Sequence, residues 1–206
     1  MSKKLSPRNV PVQQRARRQR DKILKATSEL LETEGVDKLT TIHVAEVVGI
    51  SVGTLYHYFP NKYAILYSLA ENWIETVLHE LVEIGHGDIG KMSIKDFVLL
   101  ITDKFEGLFI KHSPLLPLVN AINTLPELNS LNVEFKQQLM KALGEIFIDL
   151  NICDSSTESM RLASVYWQLL QGMLLLYVDA KSKSDKTLSD IKYLQYSLLE
   201  RAKSDF

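Results

Sequence analysis

The 206-residue chain has one cysteine, Cys153, and so cannot form a disulfide within itself. That excludes a cystine-stapled extracellular scaffold and suits a reducing compartment. No apolar run approaches the roughly 18 residues of a membrane span. The charged N-terminal stretch lacks the apolar segment of a secretory signal, so the expected location is the cytoplasm and no membrane partner is expected. Phosphate-cradling glycine loops are missing too: Gly85, Gly87 and Gly90 follow a helical pattern, not a strand, and read as a linker. No Ser-His-acid arrangement can be argued from spacing. His79 and Glu83 stand one helical turn apart with His86 nearby, but a solvated helix end is the preferred reading over a metal site. Cys153 falls in a polar connection with no obvious basic partner, which argues against a redox switch. The expectation is a chain without cofactor, metal or catalytic residues.

Alternating strand patterns, hairpin signals and internal repeats are also absent. What remains is 46% hydrophobic and 24% charged residues, ordinary for a globular protein long enough to bury a real core. The net charge of −1 conceals an asymmetry. Residues 1–65 hold eleven Lys/Arg against six Asp/Glu, whereas residues 66–206 hold thirteen against nineteen. Nine of the basic residues fall within the first 25 positions, where there is one acid. Such a cluster attracts phosphates and makes binding salt-dependent. Arg15 to Arg20, with Arg17 and Arg18 foremost, are candidates for that role; Lys3 and Lys4 read as part of a flexible tail.

The most informative stretch is residues 40–62, in which two short helical patterns flank Gly49-Ile50-Ser51. Small Ala45 permits close helix crossing, and Gly49 can take the positive φ that ends a helix. Ser51 is placed to cap the second helix. Val44, Val47, Ile50 and Leu55 supply apolar contacts to lock the pair. This is a helix-turn-helix, whose second helix enters the DNA major groove.

Around it the pattern is helical throughout. Residues 1–12, with Pro7 and Pro11, read as a flexible arm, and the helix from about Gln14 to Glu34 is stopped by Gly35. Thr40 caps a helix to about Val48. The recognition helix covers roughly Val52 to Tyr58, and Asn61 caps a long helix to about Ile84. Ser93, with Asp96 three residues on, opens another helix. A short helix follows near Leu118 to Asn123, bracketed by prolines, and long ones at about 128–150, 156–181 and 187–203. The expected fold is all-α with nine or ten helices: an arm at 1–12, a three-helix DNA-binding domain at 13–62, and a larger helical domain at 63–206 for ligand binding and dimerisation.

Gly49-Ile50-Ser51-Val52-Gly53-Thr54-Leu55-Tyr56-His57-Tyr58-Phe59-Pro60-Asn61-Lys62 resembles the recognition segment of the TetR family of bacterial repressors. Ile23-Leu24-Lys25-Ala26, Glu34-Gly35 and Thr40-Thr41 resemble that family's first helix and its junction, so the resemblance spans about residues 15–70. It implies that Leu55, Tyr56 and Phe59 pack the recognition helix, Tyr56 with a hydroxyl left to reach the DNA. It implies base reading from Val52, Gly53, Thr54 and His57, and backbone contacts from Thr40, Thr41, Tyr58 and Lys62. None of the groove-facing four makes a bidentate base contact, so specificity is either modest or carried by DNA shape and the arm.

The resemblance also implies a homodimer on a palindromic double-stranded operator, acting as a repressor released by a small hydrophobic ligand. The last two long helices carry Ser164, Gly172 and Ala180 among large residues such as Trp167, Met173, Leu174 and Tyr177, as a dimer surface allows. A pocket would draw on Phe97, Phe105, Phe109, Leu118, Ile122, Phe135 and Trp167, with His112, Asn120, Gln168 and Gln171 as polar partners. Two rivals stand beside this reading: a regulator or activator of the same fold working through protein contacts without a ligand, and, remotely, a small-molecule-binding enzyme.

Overall fold

The computed structural model describes residues 14–178 and 185–204. The expected arm at 1–12 and Ala180 lie outside the described residues, as do the side chains of Met173, Leu174 and Tyr177. Nine α-helices are present among them: α1 (Gln14–Lys38), α2 (Thr41–Val48), α3 (Val52–Tyr58), α4 (Lys62–Gly85), α5 (Ile94–Lys111), α6 (Leu116–Ile122), α7 (Asn129–Asp149), α8 (Ser156–Val178) and α9 (Asp185–Ser204). Short 3-10 turns at Ile89–Lys91, Ser113–Leu115 and Pro126–Leu128 fill the connections, and no strand occurs among the described residues. The all-α expectation holds.

Four helix starts are set by side chains that stand where the sequence placed them. The Thr40 hydroxyl accepts from the His43 amide at 3.1 Å, and Ser51 from the Thr54 amide at 3.0 Å. The Asn61 carboxamide oxygen accepts from the Ala64 amide at 3.0 Å, and Ser93 from the Asp96 amide at 3.1 Å. Each cap satisfies an amide that the helix leaves without a partner and contributes on the order of 1 kcal/mol.

Two glycines shape the N-terminal helices. Gly49 ends α2 at φ 73°, ψ 38°, and the amides of Gly49 and Ile50 close back onto Glu46 and Ala45 carbonyls at 3.1 and 3.0 Å. Gly35 sits at φ 77°, ψ 176°, a region open essentially to glycine alone. The expected stop at Gly35 is therefore a kink, after which a short helical stretch runs on to Lys38.

The chain divides into two compact units. The first runs to Glu75 and takes in Pro114–Val133, and α1 packs there against both α2 and α6. Its core includes Ile23, Leu24, Leu31, Val44, Ala45, Leu55, Phe59 and Ile65. The second comprises Thr76–Ser113 and Glu134 onward, with α9 packed against α5 and α8. Its core is aromatic, with Phe97, Phe105, Phe109, Phe147 and Tyr166 fully buried. Thr102 donates to the Gln195 carboxamide at 3.0 Å inside it, and Lys192 reaches Asp103 at 2.9 Å on its surface.

A side chain at Gly35 or Gly49 would meet no atom within 4 Å, so substitution there reads backbone strain alone. Gly49→Ala should cost about 1–2 kcal/mol, and Gly49→Asn less, because asparagine tolerates the left-handed region. Gly35→Ala should cost about 1–3 kcal/mol with no such rescue by asparagine. Chemical denaturation of the four variants checks the pattern; equal recovery by asparagine at both sites would contradict it.

Candidate nucleic-acid interface

The seven residues of α3 form barely two turns, too short to be stable alone. Three features hold it. Its inner side is fixed by Leu55 and Phe59, both fully buried. Its N-terminus is fixed by Ser51, whose hydroxyl also lies 2.8 Å from that of Thr54. Its outer side is tied to α2 by Tyr56, whose hydroxyl is hydrogen-bonded to that of Thr41 at 3.2 Å. Tyr56 is 39% exposed, unlike the fully buried Leu55 and Phe59, and its hydroxyl is engaged by Thr41. Val47 departs from expectation, since it is 50% exposed and does not lock α2 to α3; Val44 and Ala45 are the residues of α2 that are buried.

What α3 presents outward is Gly53, Thr54 and His57, all exposed, with Val52 half-buried at its start. The His57 ring meets Tyr58 edge-on at 5.5 Å. Thr40 is exposed and Thr41 half-buried at the first turn of α2, where free amides face outward beside them. Tyr58 and Lys62 are half-buried at the far end of α3 and the start of α4. The structure thus brings Thr41 and Tyr56 into contact and sets Gly53, Thr54 and His57 on one open stretch of helix.

Three contacts are not legible in the sequence. The Lys62 ammonium donates to the Val36 carbonyl at 3.4 Å, an acceptor in the stretch that follows the Gly35 kink, and lies 5.6 Å from the Tyr63 ring. Arg20 sets its guanidinium 5.8 Å from the centre of the Phe59 ring, so one of the basic residues of α1 is a packing element of the motif. His43 stands 3.3 Å from the Glu34 carboxylate. Arg15, Arg17 and Arg18 are exposed along α1, on the helix expected from about Gln14. Helical spacing signals which residues share a face, but no spacing signals pairs 9 to 39 positions apart that lie on different helices or across a kink.

The residues expected to line a pocket fall in both units. Phe97, Phe105, Phe109, Phe135 and Trp167 are buried in the second, where Trp167 meets Phe105 and Phe135 edge-on at 6.0 Å each. Gln171 and His112 are half-buried and Gln168 exposed. Leu118 and Ile122 are buried on α6, in the first unit, with Asn120 exposed. None of them lines the groove of about 440 Å³ that α5 and α9 leave open between Val98, Leu99, Lys192, Tyr193 and Tyr196. Cys153 lies in the connection between α7 and α8 as expected but is buried, and burial, aided by Glu158, pushes its thiol up against the opposing pull of Arg161. His79, Glu83 and His86 are exposed near the end of α4.

Comparison with known proteins gives this geometry a context. Residues 23–69 match the family model for bacterial regulatory proteins of the tetR family. The chain is 30% identical over 105 residues to the HTH-type transcriptional regulator YvdT of Bacillus subtilis (strain 168), covering 45% of this chain and 54% of that one. It is 42% identical over 60 residues to the nucleoid occlusion factor SlmA of Vibrio atlanticus (strain LGP32), covering 29% of this chain and 30% of SlmA. The chain thus spans about half or less of the curated relatives it matches. Its fold is similar to that of a transcriptional regulator from Rhodococcus sp. RHA1, with a TM-score of 0.72 at 15% identity over 88% of this chain and 96% of that one.

A Cβ at Gly53 would meet nothing nearer than the Ser51 hydroxyl at 3.8 Å, ordinary contact. The fold therefore makes no demand for glycine at this exposed helical position. Gly53→Ala should stabilise the protein by about 0.5–1 kcal/mol through helix propensity. A lowered denaturation midpoint would show an internal constraint that the structure lacks.

Proposed function

We propose that the chain is a regulator of the TetR family, a homodimeric repressor that binds a palindromic operator and leaves it when a small hydrophobic ligand binds. The observation that carries this reading is the two-sided build of α3. Leu55 and Phe59 are buried on one side, while Gly53, Thr54 and His57 lie open on the other. A glycine that costs helix stability and meets no steric limit within the protein is explained by the close approach of something outside it. In this reading Gly53 admits the DNA backbone or a base edge, while Thr54 and His57 read bases and Val52 meets a thymine methyl. Thr40, Thr41, Tyr56, Tyr58 and Lys62, with Arg17 and Arg18 on α1, hold the sugar-phosphate backbone and fix the register.

A dimer follows from the size of this reader. One seven-residue helix covers only a few base pairs, and two copies about 34–36 Å apart would meet successive major grooves on one side of the duplex. Val165 on α8 and Leu194 on α9, both large and exposed, support those helices as the pairing surface. The aromatic interior of the second unit supports a ligand domain for an apolar molecule. Release requires that this molecule bind the DNA-free geometry more tightly than the DNA-bound one. The match to a nucleoid occlusion factor over 60 residues favours one second reading, a DNA-bound factor working through protein contacts, for which no ligand alters DNA affinity.

Selection of duplexes from a random pool on the purified full chain, followed by titration at two salt concentrations, tests the reading. An enriched palindrome is expected. Lys62→Ala should weaken binding to all sequences alike and reduce the salt slope by about one. Changes at Thr54 or His57 should instead alter which sequence is preferred. Gly53→Ala should bind more weakly although it folds more stably. Weak binding without sequence preference would refute the repressor.

A further inference from the structure

The buried aromatic residues of the second unit surround two side chains whose only polar atoms have no partner. Tyr166 meets the Phe147 ring at 5.4 Å and the Phe97 ring at 6.1 Å, and is fully buried. Trp167, the next residue on α8, lies between Phe105 and Phe135 and is 3% exposed. The phenol oxygen of Tyr166 and the indole nitrogen of Trp167 are both buried without a hydrogen bond among the described residues. Two other groups of this unit have an unmet atom, but each is anchored through a different contact. Gln195 accepts from Thr102, and the Glu80 carboxylate faces the Lys104 ammonium at 3.7 Å. Tyr166 and Trp167 have no such second contact.

Buried donors are almost always satisfied in folded proteins, and an unmet one costs free energy that an apolar residue of the same shape does not. Phenylalanine would serve packing better at position 166. Burial holds the Tyr166 phenol well above its ordinary range, so it is protonated and donates; an indole N–H donates only. The pair therefore offers two donors. The rings that meet the pair, Phe97, Phe105, Phe135 and Phe147, carry no charge, so an ion here would find no counter-ion among them.

We infer that Tyr166 and Trp167 are the polar anchors of an interior site for a neutral, mostly aromatic ligand that carries a hydrogen-bond-accepting oxygen, such as a ketone or an ester. This rests on the reading of the second unit as a ligand domain and names the chemistry its ligand must have. Aromatic neighbours supply edge and face contacts to the ligand's apolar body, and the two donors fix its oxygen. Entry requires the packed rings to part, which couples occupancy to the arrangement of α5, α7 and α8.

Thermal melting of the full chain with acetophenone and with ethylbenzene tests this, because the two probes share a shape and differ in the carbonyl. Acetophenone should raise Tm above the ethylbenzene value by about 2 °C or more. That difference should vanish in Tyr166→Phe and shrink in Trp167→Phe. Without any probe, Tyr166→Phe should melt at or above the wild-type temperature, since it removes an unmet donor and keeps the ring. Trp167→Phe loses ring volume, so it is read only for probe discrimination. Equal responses to both probes, no response to either, or a ligand-free Tyr166→Phe that melts clearly lower would each overturn the assignment. None of these measurements involves DNA. Probe discrimination without operator binding would refute the repressor and keep the site; operator binding without discrimination would do the reverse.

Discussion

The N-terminal unit depends on a helix that cannot hold itself together. Seven residues of α3 make too few internal hydrogen bonds to offset the ordering of the chain, so its existence and its direction come from neighbours. Burying Leu55 and Phe59 contributes about 1.5–3 kcal/mol each, more than any single cap or exposed hydrogen bond in the motif. The remaining contacts decide orientation. Gly49 turns the chain, Ser51 starts the helix, Tyr56 ties it to Thr41, and Arg20 lies against the ring that anchors it. The anchoring is therefore apolar and internal, while the aim is set by polar contacts at the rim.

The two units solve different physical problems. The first keeps its basic residues near the motif, on α1 and at Lys62, where a polyanion can meet them. The second concentrates aromatic rings in its interior, with Thr102 and Gln195 as an internal polar tie. Electrostatic attraction acts over about 10 Å in dilute salt, whereas burial acts only on contact. Under the proposed function, a surface that must find a partner and an interior that must discriminate among small apolar molecules would call for these opposite endowments.

Much of the motif was legible because its determinants are local. Thr40, Ser51, Asn61 and Ser93 cap helices whose amides lie two or three residues away, and Gly35 and Gly49 take backbone angles that other residues avoid. What failed was geometry set by distant partners. In the eight residues of α2 the apolar positions crowd too closely for periodicity to assign a face, and Val47 was placed inward when Val44 and Ala45 fill that side. Lys62 and Val36 stand 26 positions apart, and only the kink at Gly35 explains why a carbonyl is available there. The Tyr166 and Trp167 donors were hidden for a further reason: a sequence displays the groups present, but not whether an acceptor faces them.

The division of α3 into an anchored side and an open side separates two kinds of heritable change. Substitutions at Leu55 or Phe59 put the whole domain at risk, so a lineage that keeps the protein keeps them. Substitutions at Gly53 or His57, both exposed, leave the buried contacts of Leu55 and Phe59 intact. A duplicated gene could therefore drift at these positions and acquire a new binding preference while every intermediate still folds. The same scaffold can diversify into many regulators because its open face is not what keeps it folded.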